Sequence, residues 1–191
     1  LRYPEILFED GRFSGVKVDM GEPVLERALI PVAGSGDVRE INLEIPQRSF
    51  KATAVSMGNP HCVIFVDKAD KVPLAEWGAQ LENHVMFPAR TNVEFVEALT
   101  PREMIMRVWE RGAGITMACG TGACAALVAG VITKRSDRSC LIHLPGGDLF
   151  VEWNEDDNHV YMSGPAEEVF TGVIELGSPA GGLWVGRLGD S

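Results

Sequence analysis

The sequence is short of positive charge: 17 Lys and Arg stand against 27 Asp and Glu in 191 residues, a formal net charge of −10. A polyphosphate chain or an anionic membrane surface would be repelled, so neither nucleic acid nor membrane is expected as a partner. Cysteine is scarce, with Cys62, Cys119, Cys124 and Cys140 only. No C-x-x-C or H-x-x-x-H spacing joins them to His61 or His143, which argues against a zinc site. A chain of this length buries its own core without disulfides, so reduced thiols and a cytoplasmic setting are expected, or a plastid one in a plant. No charged n-region followed by an apolar stretch opens the sequence. It starts at Leu1 and not at Met, and the expectation is that a preceding segment has been left out.

One stretch lacks charge altogether, Gly112 to Thr133. It is long enough to raise a membrane span, but its middle, Ala118-Cys119-Gly120-Thr121-Gly122-Ala123, is only weakly hydrophobic. A helix buried on every side of a globular domain fits better. The composition, 46% hydrophobic and 23% charged, is that of ordinary globular domains and excludes disorder and collagen-like repeats.

What is present reads mainly as strand. Val16 to Met20, Glu40 to Ile45, Cys62 to Val66, Asn92 to Val96 and Met104 to Glu110 alternate or run apolar with β-branched residues. Cys140 to Leu144, Leu149 to Trp153, Val160 to Ser163 and Glu168 to Phe170 extend the pattern between turn clusters. Two helices are expected. One follows Pro73, with Leu74, Trp77 and Leu81 on one face and Pro88 closing the segment. The other starts near Gly120 and runs to Lys134 and Arg135, two cations suited to a helix C-terminus. The glycine-rich tail around Leu183-Trp184-Val185 reads equally as a strand or a mobile end.

The chemistry concentrates where the apolar helix begins. Cys119 stands immediately before it, at a position where unsatisfied N–H groups and the helix dipole favour an anion. A free thiol near pKa ~8.5 is only about 3% ionised at neutral pH, and such a position is expected to lower that pKa and make Cys119 a thiolate. The alternative is a small buried hydrophobe, the usual fate of a free Cys and the reading for Cys62, Cys124 and Cys140. Glycines beside Cys119 let a substrate carboxylate reach the same N–H groups. Gly58-Asn59-Pro60-His61 and Thr91-Asn92 each open a strand, as plain turns or as polar loops for a ligand. Glu110-Arg111 offers a carboxylate and a guanidinium side by side, suited to an ammonium and a carboxylate. Together these pieces describe an amino-acid pocket. Gly120 to Ala125 also fits G-x-G-x-x-A, but a dinucleotide site needs alternating strands and helices that the sequence does not offer.

The blocks Val18-Asp19-Met20-Gly21-Glu22-Pro23, Met57-Gly58-Asn59-Pro60-His61, Thr91-Asn92-Val93-Glu94-Phe95, Trp109-Glu110-Arg111-Gly112, Ala118-Cys119-Gly120-Thr121-Gly122, Leu144-Pro145-Gly146-Gly147 and Ser163-Gly164-Pro165-Ala166-Glu167 resemble, in order, those of the diaminopimelate epimerase family. The resemblance implies an α+β fold of two pseudo-symmetric halves, each a mostly antiparallel, barrel-like sheet wrapped round a central helix. It implies interconversion of LL- and meso-2,6-diaminopimelate by two cysteines on opposite faces of the α-carbon, with no pyridoxal phosphate and no metal. Cys119 would be one of the two, Gly120 and Thr121 would hold the α-carboxylate, Asn59, Asn92, Glu110 and Arg111 would bind substrate, and His61 would stand beside the reacting centre. On this pattern residues 1–20 are trailing strands of an N-terminal half that the sequence does not contain, 21–172 the C-terminal epimerase domain, and 173–191 a glycine-rich tail. The expected partners are a small amino-acid substrate, the other half and, in the whole protein, a second copy in a homodimer. Other cofactor-independent racemases, and a chain that alone only binds ligand or partner, stay open as alternatives.

Overall fold

The computed structural model describes residues 4–167, 170–177 and 183–187. The strands are β1 (Pro4–Glu9), β2 (Arg12–Asp19), β3 (Ile41–Ile45), β4 (Arg48–Ser56), β5 (Pro60–Phe65), β6 (Asn92–Thr100), β7 (Glu103–Glu110), β8 (Gly114–Ile115), β9 (Ser139–Leu144), β10 (Gly147–Trp153), β11 (Val160–Gly164), β12 (Val173–Gly177) and β13 (Leu183–Arg187). The helices are α1 (Leu74–Glu82) and α2 (Gly120–Ile132). Eleven strands form one sheet in the order β1-β2-β11-β10-β9-β7-β6-β5-β4-β3, with β8 on β7, and β12 pairs with β13 alone. All neighbours are antiparallel except β5 with β6 and β7 with β9. The crossover between β5 and β6 carries α1, and that between β7 and β9 carries α2.

The sheet wraps α2. Val55, Val63, Val96, Met106, Ile142, Val151 and Val160, from seven strands, point inward onto Ala123, Leu127 and Val128. Residues 122–130 of the helix are all buried, which explains how a segment with three glycines stays helical. Glycine costs about 1 kcal/mol in a helix interior, while each fully buried Leu or Val contributes roughly 1.5–3 kcal/mol. A second core lies on the outer face, where Leu43, Phe50, Ile64 and Phe95 pack against Leu74 and Leu81 of α1 and Ile30 of the loop before β3. Strand β4 is covered on both sides, and Ala52, Thr53, Ala54, Val55 and Ser56 are all buried.

Several boundaries differ from expectation. Helix α1 ends at Glu82, well before Pro88, with Asn83 at its C-cap. Helix α2 ends at Ile132, so Lys134 and Arg135 lie past it. The chain turns at Lys134, whose φ is 60°, and the Arg135 N–H returns to the Gly130 carbonyl. Strands β4, β8 and β12 come in addition to those expected, while β1 and β2 fall within residues 1–20, read as trailing strands. Of the strand expected at 168–170, Glu168 and Val169 lie outside the described residues and Phe170 is not in a strand. In the tail, Leu183–Arg187 is a strand, β13. The uncharged run becomes the short strand β8 followed by a 13-residue helix, and no helix among the described residues is long and apolar enough to cross a membrane.

Candidate active site

Cys119 is the N-cap of α2, extended at φ −141° and ψ 106°, and its Sγ accepts the Gly122 N–H at 3.4 Å. Gly120 and Thr121 occupy the next two positions, where N–H groups have no intrahelical acceptor. The residue is 8% exposed. In the sequence it follows the exposed Met117 and Ala118.

A hydrogen-bonded array runs from this sulfur across the sheet. Thr121 Oγ1 lies 3.6 Å from Cys119 Sγ and accepts Asn59 Nδ2 at 3.3 Å. Asn59 Oδ1 meets His61 Nε2 at 3.0 Å, and His61 Nδ1 meets Glu94 Oε1 at 2.7 Å. His61 and Glu94 are fully buried, and Glu94 Oε2 has no hydrogen-bond partner. Parallel pairing of β5 with β6 sets His61 opposite Asn92, two residues before Glu94. The Asn59 loop reaches α2 through a turn with Gly58 at φ 95°, a conformation that a β-carbon would strain.

The electrostatics reverse the expectation for Cys119. Its pKa is pushed up to about 11, first by burial and then by the negative charge of Glu94, with a smaller contribution from Glu110. The Thr121 hydroxyl and the Gly122 N–H oppose the shift and do not overcome it. The resting group is a thiol and not a thiolate. Cys62 is raised by burial and by Glu94, and Cys140 to about 12 by burial and then by Glu103 and Asp137. All four cysteines are buried and none is in a disulfide.

A second group of expected residues lies around the start of β6 and the end of β7. Asn92 is buried, its Nδ2 donates to the Pro60 carbonyl, and its Oδ1 accepts the Arg111 N–H at 2.8 Å. It thus ties the Asn-Pro turn to the Arg111 loop. Arg111 Nη1 donates to the Ala89 carbonyl, and Glu110 Oε1 accepts the Thr116 hydroxyl at 2.5 Å. The structure therefore joins Cys119, Thr121, Asn59 and His61 in one array and Asn92 with Arg111 in another. His84 and His159, read as isolated surface residues, meet the Glu44 carbonyl and Asp19. A hollow of about 750 Å³ lies at the opposite end of α2, beside Arg48, Lys134 and Arg135, and is lined by none of the expected site residues. Sequence reasoning missed Glu94, which meets His61 and raises the Cys119 pKa. The signal for Glu94 was there, because a charge in Val93-Glu94-Phe95-Val96 has the same parity as the inward-facing Val96.

The sequence profile of the diaminopimelate epimerase family matches residues 53–169. The chain belongs to that family. It is 55% identical over 174 residues to the diaminopimelate epimerase of Moorella thermoacetica, covering 91% of this chain and 62% of that protein. It is 60% identical over 170 residues to the diaminopimelate epimerase of Pelotomaculum thermopropionicum, covering 88% and 60%. The chain thus spans a little under two thirds of the length of these relatives. Among solved structures it resembles a hydroxyproline epimerase of Agrobacterium vitis crystallised with trans-4-hydroxy-L-proline, with a TM-score of 0.61 and 15% identity, covering 86% of this chain and 53% of that one. That likeness concerns the fold alone.

Proposed function

We propose that this chain carries one side of the catalytic centre of a cofactor-independent epimerase that inverts an α-carbon of 2,6-diaminopimelate. The observation that supports this most directly is Cys119 at the N-cap of the buried helix α2, with its sulfur on the Gly122 N–H and the N–H groups of Gly120 and Thr121 beside it. Those two groups take the substrate α-carboxylate and the charge that develops on it. A base on the far face of the α-carbon removes its proton, and the electron pair of the broken C–H bond delocalises into the carboxylate. The Cys119 thiol then gives its proton to the near face, forming the new C–H bond and leaving a thiolate. In the reverse direction the thiolate is the base. Glu110 and Arg111 hold the substrate's ammonium and carboxylate groups, Asn59 and Asn92 complete the polar wall, and His61 supports Asn59.

The opposing base, a second cysteine on this reading, is supplied by polypeptide beyond this sequence, in keeping with the greater length of the relatives. The same reading gives the protein a place in the cytoplasmic supply of lysine and peptidoglycan precursors. The test follows LL-2,6-diaminopimelate in deuterated water by proton NMR, with the chain alone and with the uncovered part of the Moorella thermoacetica relative added. Loss of the α-proton signal with appearance of the meso product, abolished by Cys119→Ala, is the expected result. Turnover that survives Cys119→Ala refutes the assignment.

A further inference from the structure

Glu82 is the last residue of α1, with a side chain 6% exposed. All of its visible partners are donors. Oε1 accepts Arg90 Nη1 at 3.1 Å and the Gly112 N–H at 2.9 Å, and Oε2 accepts the Trp109 indole N–H at 2.7 Å. Trp109 and Gly112 flank Glu110 and Arg111, so one buried carboxylate grips both sides of that pair. Two further features fix the grip. Gly112 takes a φ of 78°, and Trp109 packs so closely on α1 that a β-carbon at Gly78 would lie 2.6 Å from the Trp109 Cβ.

We propose that Glu82 is a positioning residue for substrate binding: by holding Trp109 and Gly112 it sets where Glu110 and Arg111 stand. The inference rests on the proposed role of Glu110 and Arg111 in binding substrate. It needs a carboxylate and not merely a polar group. An amide at this position must aim its NH2 either at the indole N–H or at the Gly112 N–H and Arg90, and in both cases donor meets donor. The Glu82→Gln variant therefore loses one side of the grip with almost no change in volume.

The experiment compares the native protein, Glu82→Gln and Glu82→Gln with Trp109→Phe, with epimerisation measured in the presence of the supplementing segment. In Glu82→Gln the Trp109 indole N–H resonance moves upfield or the Gly112 amide exchanges with solvent about tenfold faster, as expected for a lost hydrogen bond to a charged group. KM for LL-2,6-diaminopimelate rises by about tenfold while kcat stays within about threefold, the signature of lost ground-state positioning. Adding Trp109→Phe removes the indole donor, lets the amide oxygen face Gly112, and brings KM back toward the native value. An unchanged indole resonance and Gly112 exchange overturn the grip whatever the activity. A fall in kcat at constant KM, or an altered KM that Trp109→Phe leaves as it was, overturns the positioning role. A protein without epimerase activity at all refutes the proposed function and leaves the NMR arm to decide on Glu82.

Discussion

Replacing Gly122 by alanine sets two physical effects against each other, and the structure decides the sign. Gly122 lies in the first turn of α2 at an ordinary helical φ, so propensity alone predicts a gain of about 1 kcal/mol. The added β-carbon would lie 2.9 Å from Glu94 Oε1, 3.2 Å from Cys119 Sγ and 3.3 Å from Cys119 Cβ. Optimal separations between carbon atoms are about 3.5–4.0 Å, so a neighbour must move. Glu94 cannot move freely, because it is fully buried and its carboxylate is held 2.7 Å from His61 Nδ1. Cys119 cannot move without giving up its bond to the Gly122 N–H. Overpacking of this kind costs about 1–3 kcal/mol, and displacing the buried His61–Glu94 pair adds to it, so a net loss of about 1–2 kcal/mol remains after the propensity gain. For a chain of this size that lowers Tm by roughly 2–8 °C, read from a thermal melt by circular dichroism. A Tm that rises by about 2–4 °C, as propensity alone requires, would refute the claim that the Glu94 carboxylate is wedged beneath the helix end.

Other perturbations test the site and the sheet separately. With its pKa raised to about 11, Cys119 should alkylate with iodoacetamide at a rate that climbs roughly tenfold per pH unit from 7 to 10, measured against a Cys119→Ser blank; a plateau near pH 9 would show an ordinary thiol. Thr121→Val removes the hydroxyl that lies 3.6 Å from Cys119 Sγ and should slow the same alkylation at fixed pH by roughly three- to tenfold, while an unchanged rate would show that the hydroxyl does not serve the sulfur. His143 bridges Asp148 and Glu103, and its pKa is raised first by Asp148 and then by Glu103. A group whose folded pKa is raised contributes stability that is complete below its unfolded pKa and is lost as pH rises through the folded one. The Tm deficit of His143→Gln should therefore be largest near pH 6 and shrink toward pH 9, and a deficit that grows with pH would contradict the ion-pair reading.

Which parts of the fold were legible depends on which residues see a neighbour of opposite character. Strands β7 and β9 alternate buried and half-buried positions, and that period of two is visible in Met104 to Glu110 and in Cys140 to Leu144. From Ala52 to Ser56 strand β4 is buried on both faces between α2 and the outer core, so that stretch needs no alternation, and small residues such as Ala52, Thr53 and Ala54 fill it. Its composition therefore carries neither strand period nor bulk. Helix α2 was legible for the opposite reason, since an uninterrupted apolar run of that length has no stable place except a core. Its end was less so, because Lys134 adopts a left-handed conformation that composition reserves for Gly or Asn.

The site divides along the same line between local and long-range causes. That Cys119 caps a helix is a local fact, and it could be read from the residues on either side. Its protonation state is set first by burial and then, from the facing sheet, by the charge of Glu94, which is 25 residues away in sequence and meets His61 of β5 because β5 and β6 pair in parallel. On the proposed reading the thiol form is what the helix end requires. The N–H groups there can serve an anionic sulfur or a substrate carboxylate, and two anions within one turn of a helix would repel each other by roughly 4 kcal/mol at 4 Å and an effective dielectric constant near 20. On that reading burial and the Glu94 charge keep the sulfur neutral on its Gly122 N–H, so that a carboxylate on the Gly120 and Thr121 N–H groups meets no second anion in the same turn. Removing the negative charge with Glu94→Gln should accordingly make Cys119 alkylate faster at a given pH, while burial, the larger cause, still keeps it a thiol near neutrality. An alkylation rate unchanged in Glu94→Gln would show that the Glu94 charge does not act on the sulfur.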